Sequence, residues 1–318
     1  MATVSANPVI APARTQPSRW WMAAAFFAIY FVWGTTYLAI RYAVETIPPL
    51  LTAGIRHTIA GLILLGIAWS RGFRPRREHW IAGLALGAMF FLVGHGTLHW
   101  AEQRVSSGLA ALLVATEPLW ILLIGTAMRQ QKINWQNGLG LSLGLAGVAI
   151  LTLREFTTVS SMTWGVLAVL VGTASWAIGV CVSPLLRLPR DAMGRAAVPL
   201  VCGAGLLLLA AGVTGEFAAV HWSAVSLRSL LGLAYLITFG SVVAFTAYTW
   251  LLQHCSPTVV ATHTFVNPLV AVFVGWLWAS EPMSLRIILA TAVILSAILL
   301  IQRGDRHSEM RAEAVQSD

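Results

Sequence analysis

Residues 100–127 read WAEQRVSSGLAALLVATEPLWILLIGTA, and residues 250–277 read WLLQHCSPTVVATHTFVNPLVAVFVGWL. At an offset of 150 residues, with no gap, Trp100 meets Trp250, Gln103 meets Gln253, Ser106 meets Ser256, Ala111 meets Ala261, Pro118 meets Pro268, Leu119 meets Leu269 and Gly125 meets Gly275. Leu139 with Leu289 and Leu145 with Leu295 bring the total to nine identities over residues 100–145. Chance in so apolar a chain gives about three or four, so the register marks a duplicated unit. Trp33 and Trp176 lie near the start of each half at a slightly shorter offset.

Composition says what surrounds that unit. The chain has 318 residues, 58% hydrophobic and 10% charged, against roughly 25% charged in soluble domains. Its 20 Lys+Arg and 12 Asp+Glu cannot coat a globular surface, so lipid must cover much of it. Fourteen Trp, 12 Phe and 5 Tyr exclude disorder. Cys181, Cys202 and Cys255 are odd in number and widely spaced, and read as small core residues. The net charge of +8 does not point to nucleic acid, because the basic residues sit in short clusters between apolar runs.

A bilayer core takes about 20 residues of helix. Apolar windows of that order fall at 20–40, 50–70, 80–101, 105–128, 137–153, 163–184, 194–215, 228–251, 257–279 and 285–302. They predict an all-α integral membrane protein of ten transmembrane helices, since backbone amides at membrane depth must be satisfied within their own segment and no barrel alternation is present. Residues 1–19 read as a cytoplasmic N-terminal tail before an uncleaved first span, and 303–318 as a solvated cytoplasmic C-terminal tail. Fourteen Lys/Arg lie on one side of this arrangement and five on the other. The cell membrane, with both termini cytoplasmic, follows from the positive-inside rule. Residues 20–153 and 163–302 are then two five-helix repeats. An odd helix count makes the second copy enter from the opposite side, an inverted pair typical of alternating-access carriers and shared by some channels.

The stretches WGTTYLAIRYAVETIPPLLTAGIRHTIAGLILL (33–65), SSGLAALLVATEPLWILLIGTAM (106–128) and SPTVVATHTFVNPLVAVFVGWLWASEPMS (256–284) resemble the EamA family of the drug/metabolite transporter superfamily, over nearly the whole chain apart from the tails. The resemblance implies a ten-helix carrier, often an exporter of amino acids or other small metabolites. It also places an Arg where Arg56 stands.

Glu117 is the acidic residue well inside a predicted span, at a cost of about 2.5–3.5 kcal/mol on insertion scales. It reads as a proton relay or substrate contact, with interhelical glue as the competing reading. Its repeat mate is Asn267, and both precede a proline, Pro118 and Pro268, whose missing amide frees a carbonyl one turn back and kinks the helix. The binding cavity is therefore expected at the midplane of the fourth and ninth spans. Arg56 attracts an anionic group or anchors the helix by reaching to the interface. His57, the next residue, points about 100° away, so the two do not form one site. His95 and His99 share a helical face at metal-ligand spacing, but HGTLH lacks the Glu of H-E-x-x-H and a third ligand. Proton handling, substrate hydrogen bonding or polar packing remain for them, and no metal or other cofactor is expected. His263 shares the Asn267 face, with an interhelical hydrogen bond as its plain reading. Eleven Trp cluster toward span ends as an aromatic belt. Trp33 and Trp176, with Tyr37, read as stacking walls for an organic substrate or as ordinary packing.

No Walker A or Rossmann fingerprint is present, so uphill transport would draw on an ion gradient, with proton antiport through Glu117 as the hypothesis. The expected function is a secondary carrier, in the exporting direction, of small organic metabolites such as amino acids or drugs, acting in the lipid bilayer. The alternatives are a passive facilitator or channel and a multi-pass membrane enzyme, for which Ser241, Ser183 and the His95/His99 pair assemble no constellation.

Overall fold

The computed structural model describes residues 18–130, 134–152, 161–255, 257–260 and 262–317. Every regular element among the described residues is helical. Among the described residues seven helices are long and apolar enough to cross a membrane: α1 Arg19–Ala43, α2 Pro49–Ser70, α3 Arg77–Ala101, α4 Ser107–Ala127, α6 Ser161–Leu185, α7 Ala192–Val213 and α8 Leu227–Tyr248. The fifth expected window falls on α5, Trp135–Thr152. The ninth is divided between a turn at Pro257–Val260 and α9, His263–Ala279. The tenth opens α10, Leu285–Ser317, which carries the expected C-terminal tail on as helix. Of the residues behind the expected orientation, Arg14, Lys132 and Arg154 lie outside the described residues, as do Ser256 and Ala261 of the repeat match.

Local chemistry sets the starts of these helices. Pro49 begins α2, where its missing N–H costs nothing. Ser106, Asp191 and Ser226 cap α4, α7 and α8 by accepting from the amides of Leu109, Gly194 and Ser229. Gly72 and Gly215, with φ of +92° and +78°, take the left-handed turns that follow α2 and α7.

Three helices widen into π-turns, at Ala28–Val32 in α1, Ala88–His95 in α3 and Leu236–Val243 in α8. A π-turn loosens the carbonyl ladder and lets side chains in. In each case a polar side chain of another helix takes a carbonyl. Asn267 of α9, its amide nitrogen turned toward α1, donates to Ile29 O and Tyr30 O at 3.0 Å each. Ser175 of α6 donates to Met89 O at 3.0 Å. Trp33 Nε1 of α1 donates to Gly240 O at 2.9 Å.

Helix α7 packs on α2 and α3, α10 on α5, α6 on α3 and α4, α9 on α1 and α4, and α8 on α1 and α2. Small residues allow these approaches. A Cβ on Gly34 would come within 2.6 Å of Val270 Cβ, and one on Gly87 within 2.6 Å of Gly203 N. Large apolar side chains such as Leu84, Leu209 and Phe273 point outward, more than half exposed, as a lipid-facing surface requires.

Candidate functional site

Trp33 and Tyr37 are one turn apart in α1, so they present a common face. That face meets α2 and the π-turn of α8. Gly240 accepts from Trp33, and the next residue, Ser241, accepts from Arg56 Nε at 2.9 Å. Only a glycine leaves room at 240: a Cβ there would lie 2.8 Å from Thr36 Cγ2 and 3.4 Å from Arg56 Nη2. The Trp33 ring packs edge-on to His263 at 5.1 Å and tilted on Tyr248 at 5.3 Å. Glu117 opens the second half of α4, directly after a break at Ala115–Thr116. Its charge reaches both Tyr37 and Tyr248. Tyr37, His95 and Glu117 are partly buried.

A second cluster adjoins the first through the consecutive residues Arg56 and His57. His57 Nε2 and His95 Nδ1 are hydrogen-bonded at 2.7 Å. His99 Nδ1 donates to His95 O at 2.7 Å, which leaves Nε2 as an acceptor. His57 Nδ1 and His99 Nε2 are buried without a partner. Trp176 stacks on His95 at 5.3 Å and 20°. No group of three residues arranged to hold a metal ion occurs among the described residues.

Several expectations need revision. Glu117 and Asn267 do not bond to each other: the Asn267 amide is spent on Ile29, Tyr30 and His263 carbonyls, clamping α9 to the α1 π-turn. The candidate site therefore draws on α1, α2 and α8 as well as on the fourth span, α4, and the ninth, α9. Pro118 stands in the first turn of a new helical segment and Pro268 inside α9, so the two prolines are not equivalent. Arg56 is 5% exposed with Nε on Ser241, and does not reach outward as an anchor. His263 donates to Val260 O, within its own strand of chain, in place of an interhelical bond. Trp33 and Trp176 belong to different clusters, one against α8 and α9 and the other against α3. His57 and Arg56 do part company, as their 100° separation requires, but His57 joins His95 across two helices.

Buried acidity also extends beyond Glu117. Glu281, 8% exposed, accepts from Ser107 N, Ser107 Oγ and Gly108 N at 2.8, 2.9 and 3.0 Å. Its carboxylate thus sits on the positive N-terminus of α4, with Arg41 Nε at 3.6 Å. Glu102, at the end of α3, is 1% exposed with neither oxygen hydrogen-bonded. An open depression of about 420 Å³ lined by Trp276, Leu277, Ser280, Glu281, Pro282 and Met283 lies at the α9–α10 corner, apart from both clusters.

The profile of the EamA-like transporter family matches residues 20–153 and 163–303. The chain belongs to the EamA-like transporter family. Its EamA-like relatives include the uncharacterized inner membrane transporter YedA of Escherichia coli K12, 36% identical over 88% of this chain and 90% of YedA. The uncharacterized transporter YvbV of Bacillus subtilis is 29% identical, covering 91% of this chain and 93% of its own. A WAT1-related chloroplastic protein of Arabidopsis thaliana is 29% identical, over 86% of this chain and 67% of its own. One solved crystal structure shares the fold, with a TM-score of 0.60 at 19% identity over 89% of this chain and 98% of its own. This EamA-like chain is accordingly a multi-pass membrane protein of a transporter family.

Proposed function

We propose that the protein is a secondary carrier that exports small organic metabolites, such as amino acids or drugs, by alternating access around the cavity of Trp33, Tyr37, Arg56 and Glu117. The observation that carries this reading is the cluster itself, in which Trp33 and Tyr37 of α1, Arg56 of α2 and Glu117 of α4 gather with Gly240, Ser241 and Tyr248 of α8. Family membership supports a transported small molecule.

The ten-span inverted repeat is part of the proposal, and the packing pattern supports it. Exchanging each helix for the one five places along turns α3·α6 into α8·α1, α4·α6 into α9·α1 and α3·α7 into α8·α2, while α2·α7, α5·α10 and α4·α9 map onto themselves; all of these contacts occur. An inverted pair whose halves swap conformations opens one side as it closes the other. Two helices of that scheme also widen at matching places, Ala88–His95 and Leu236–Val243. Both termini cytoplasmic, an orientation proposed from the basic residues, completes it.

Glu117 is proposed to couple transport to protons. Purified protein in liposomes, given an imposed proton gradient and a panel of labelled amino acids, tests both parts. Gradient-driven accumulation is expected, and Glu117→Gln should abolish its pH dependence while leaving exchange of substrate across the bilayer. Full proton dependence retained in Glu117→Gln contradicts the coupling role, and formation of a product without transport contradicts the carrier.

A further inference from the structure

We propose that Arg56 receives a carboxylate of the transported molecule, so that the cargo is a small organic acid with an apolar or aromatic body. The inference rests on the carrier reading and names its substrate class. Arg56 is 5% exposed, and no carboxylate among the described residues lies within ion-pair distance of it, the carboxyl group that acts on it from farther off being the buried Glu102. A cation kept at membrane depth without a contacting counter-ion is expensive, and such residues mark ligand pathways.

The geometry is that of a held fork. Ser241 takes Nε at 2.9 Å and fixes the plane of the guanidinium. The two terminal Nη groups find no protein acceptor among the described residues, and neither is fully buried. Two parallel N–H donors on a rigid plane match the two oxygens of a carboxylate, which a lysine cannot reproduce. Gly240 is held small by Thr36, whose Cγ2 would lie 2.8 Å from a Cβ there, and that Cβ would stand beside Nη2 at 3.4 Å. Tyr37 and Trp33, on the neighbouring face of α1, offer the surface for the body of the ligand.

The other ionisable groups around this point decide what accompanies the anion. The field of Arg56 reaches Tyr37 on α1, His57 on its own helix, His95 and His99 on α3 and Glu102 just past its end; α8 presents the neutral Ser241, and Glu117 of α4 acts on Tyr37. A simple carboxylate brought near Glu117 favours the protonated form of that residue, so it binds together with a proton. A zwitterion whose ammonium faces Glu117 favours the ionised form and releases one.

The test uses purified full-length protein in nanodiscs and three probes that share a phenyl ring: 3-phenylpropionate, phenylalanine and phenethylamine. Calorimetry should show binding of at least one carboxylate-bearing probe and none of phenethylamine. Arg56→Gln should weaken that binding at least tenfold, and Arg56→Lys less, with thermal unfolding checked for each variant. Ser241→Ala should weaken it by a smaller factor without unfolding the protein. In weak buffer, proton uptake on binding identifies the simple anion as the ligand, and proton release the zwitterion. Binding of phenethylamine alone, carboxylate binding unchanged in Arg56→Gln, or no binding of either carboxylate overturns the proposal. Carboxylate binding through Arg56 with no transport in liposomes overturns the carrier reading and leaves Arg56 as a carboxylate site alone, whereas Arg56-independent transport of phenethylamine upholds the carrier and overturns the carboxylate site.

Discussion

Asn267 illustrates how a single amide can hold two helices together. Its nitrogen reaches the carbonyls of Ile29 and Tyr30 that the α1 π-turn leaves open, at a point where Gly34 lets α9 come close. Asn267→Leu strands those acceptors at a cost of about 1–3 kcal/mol. Thermal unfolding in detergent should register that loss, and Asn267→Gln should recover little because the longer chain misplaces the amide. Glu102 is a residue of the opposite kind. Burial, reinforced by Glu281, holds its carboxyl well above the usual carboxylate range. The folded state therefore binds the proton more tightly than the unfolded chain, and stability is lost as pH rises from the ordinary carboxylate value. Glu102→Gln should raise the melting temperature at about pH 7 and change it little near about pH 3, where both states are protonated. A melting temperature that falls at neutral pH would show the carboxylate to be a stabilising anion.

At the scale of elements, glycine sets how near the helices approach. Gly34 faces α9 with Val270 Cβ 2.6 Å from the site of a Cβ, whereas Gly66 on α2 has nothing within 4 Å. Gly34→Ala overpacks the contact, at about 1–3 kcal/mol. Gly66→Ala meets open space and gains up to about 1 kcal/mol of helix propensity. Measured together, the pair should move melting temperature in opposite directions. The break in α4 belongs to the same scale. Thr116 turns its hydroxyl back to Leu113 O, at 2.6 Å, and Thr262 does the same to Val259 O ahead of α9. Each break ends one helical segment and frees the next to tilt, which places Glu117 at the start of a segment and not in the middle of a rigid span.

Across the whole molecule, the hydropathy pattern was enough to find the helices, because lipid demands long apolar segments wherever the chain crosses. Seven crossing helices follow the expected windows within a few residues. The π-turns at Ala28–Val32, Ala88–His95 and Leu236–Val243 were not legible, since one added residue in a turn leaves the apolar pattern intact. Nor was the His57–His95 bond, which joins two helices that a face drawn on one helix cannot relate. Glu281 sits at the end of a span in sequence and resembles a solvated loop charge until α4 is laid beneath it. Trp33, Tyr37, Arg56 and Glu117 were singled out by residue type against an apolar background, yet their gathering around α8 comes only from the fold.

The central claim is that one interior cavity opens alternately to the two sides of the membrane. Cysteine placed at Tyr37, with Cys181, Cys202 and Cys255 replaced, tests it through labelling by an impermeant maleimide applied from each side in oriented vesicles. A second pair of cysteines at Thr46 and Ser229, whose hydroxyls are 2.8 Å apart where α1 and α8 meet, locks one end shut when cross-linked. The account predicts labelling of Tyr37→Cys from either side before the lock and from one side only after it. Labelling from a single side throughout, or from both sides with the lock closed, would contradict it.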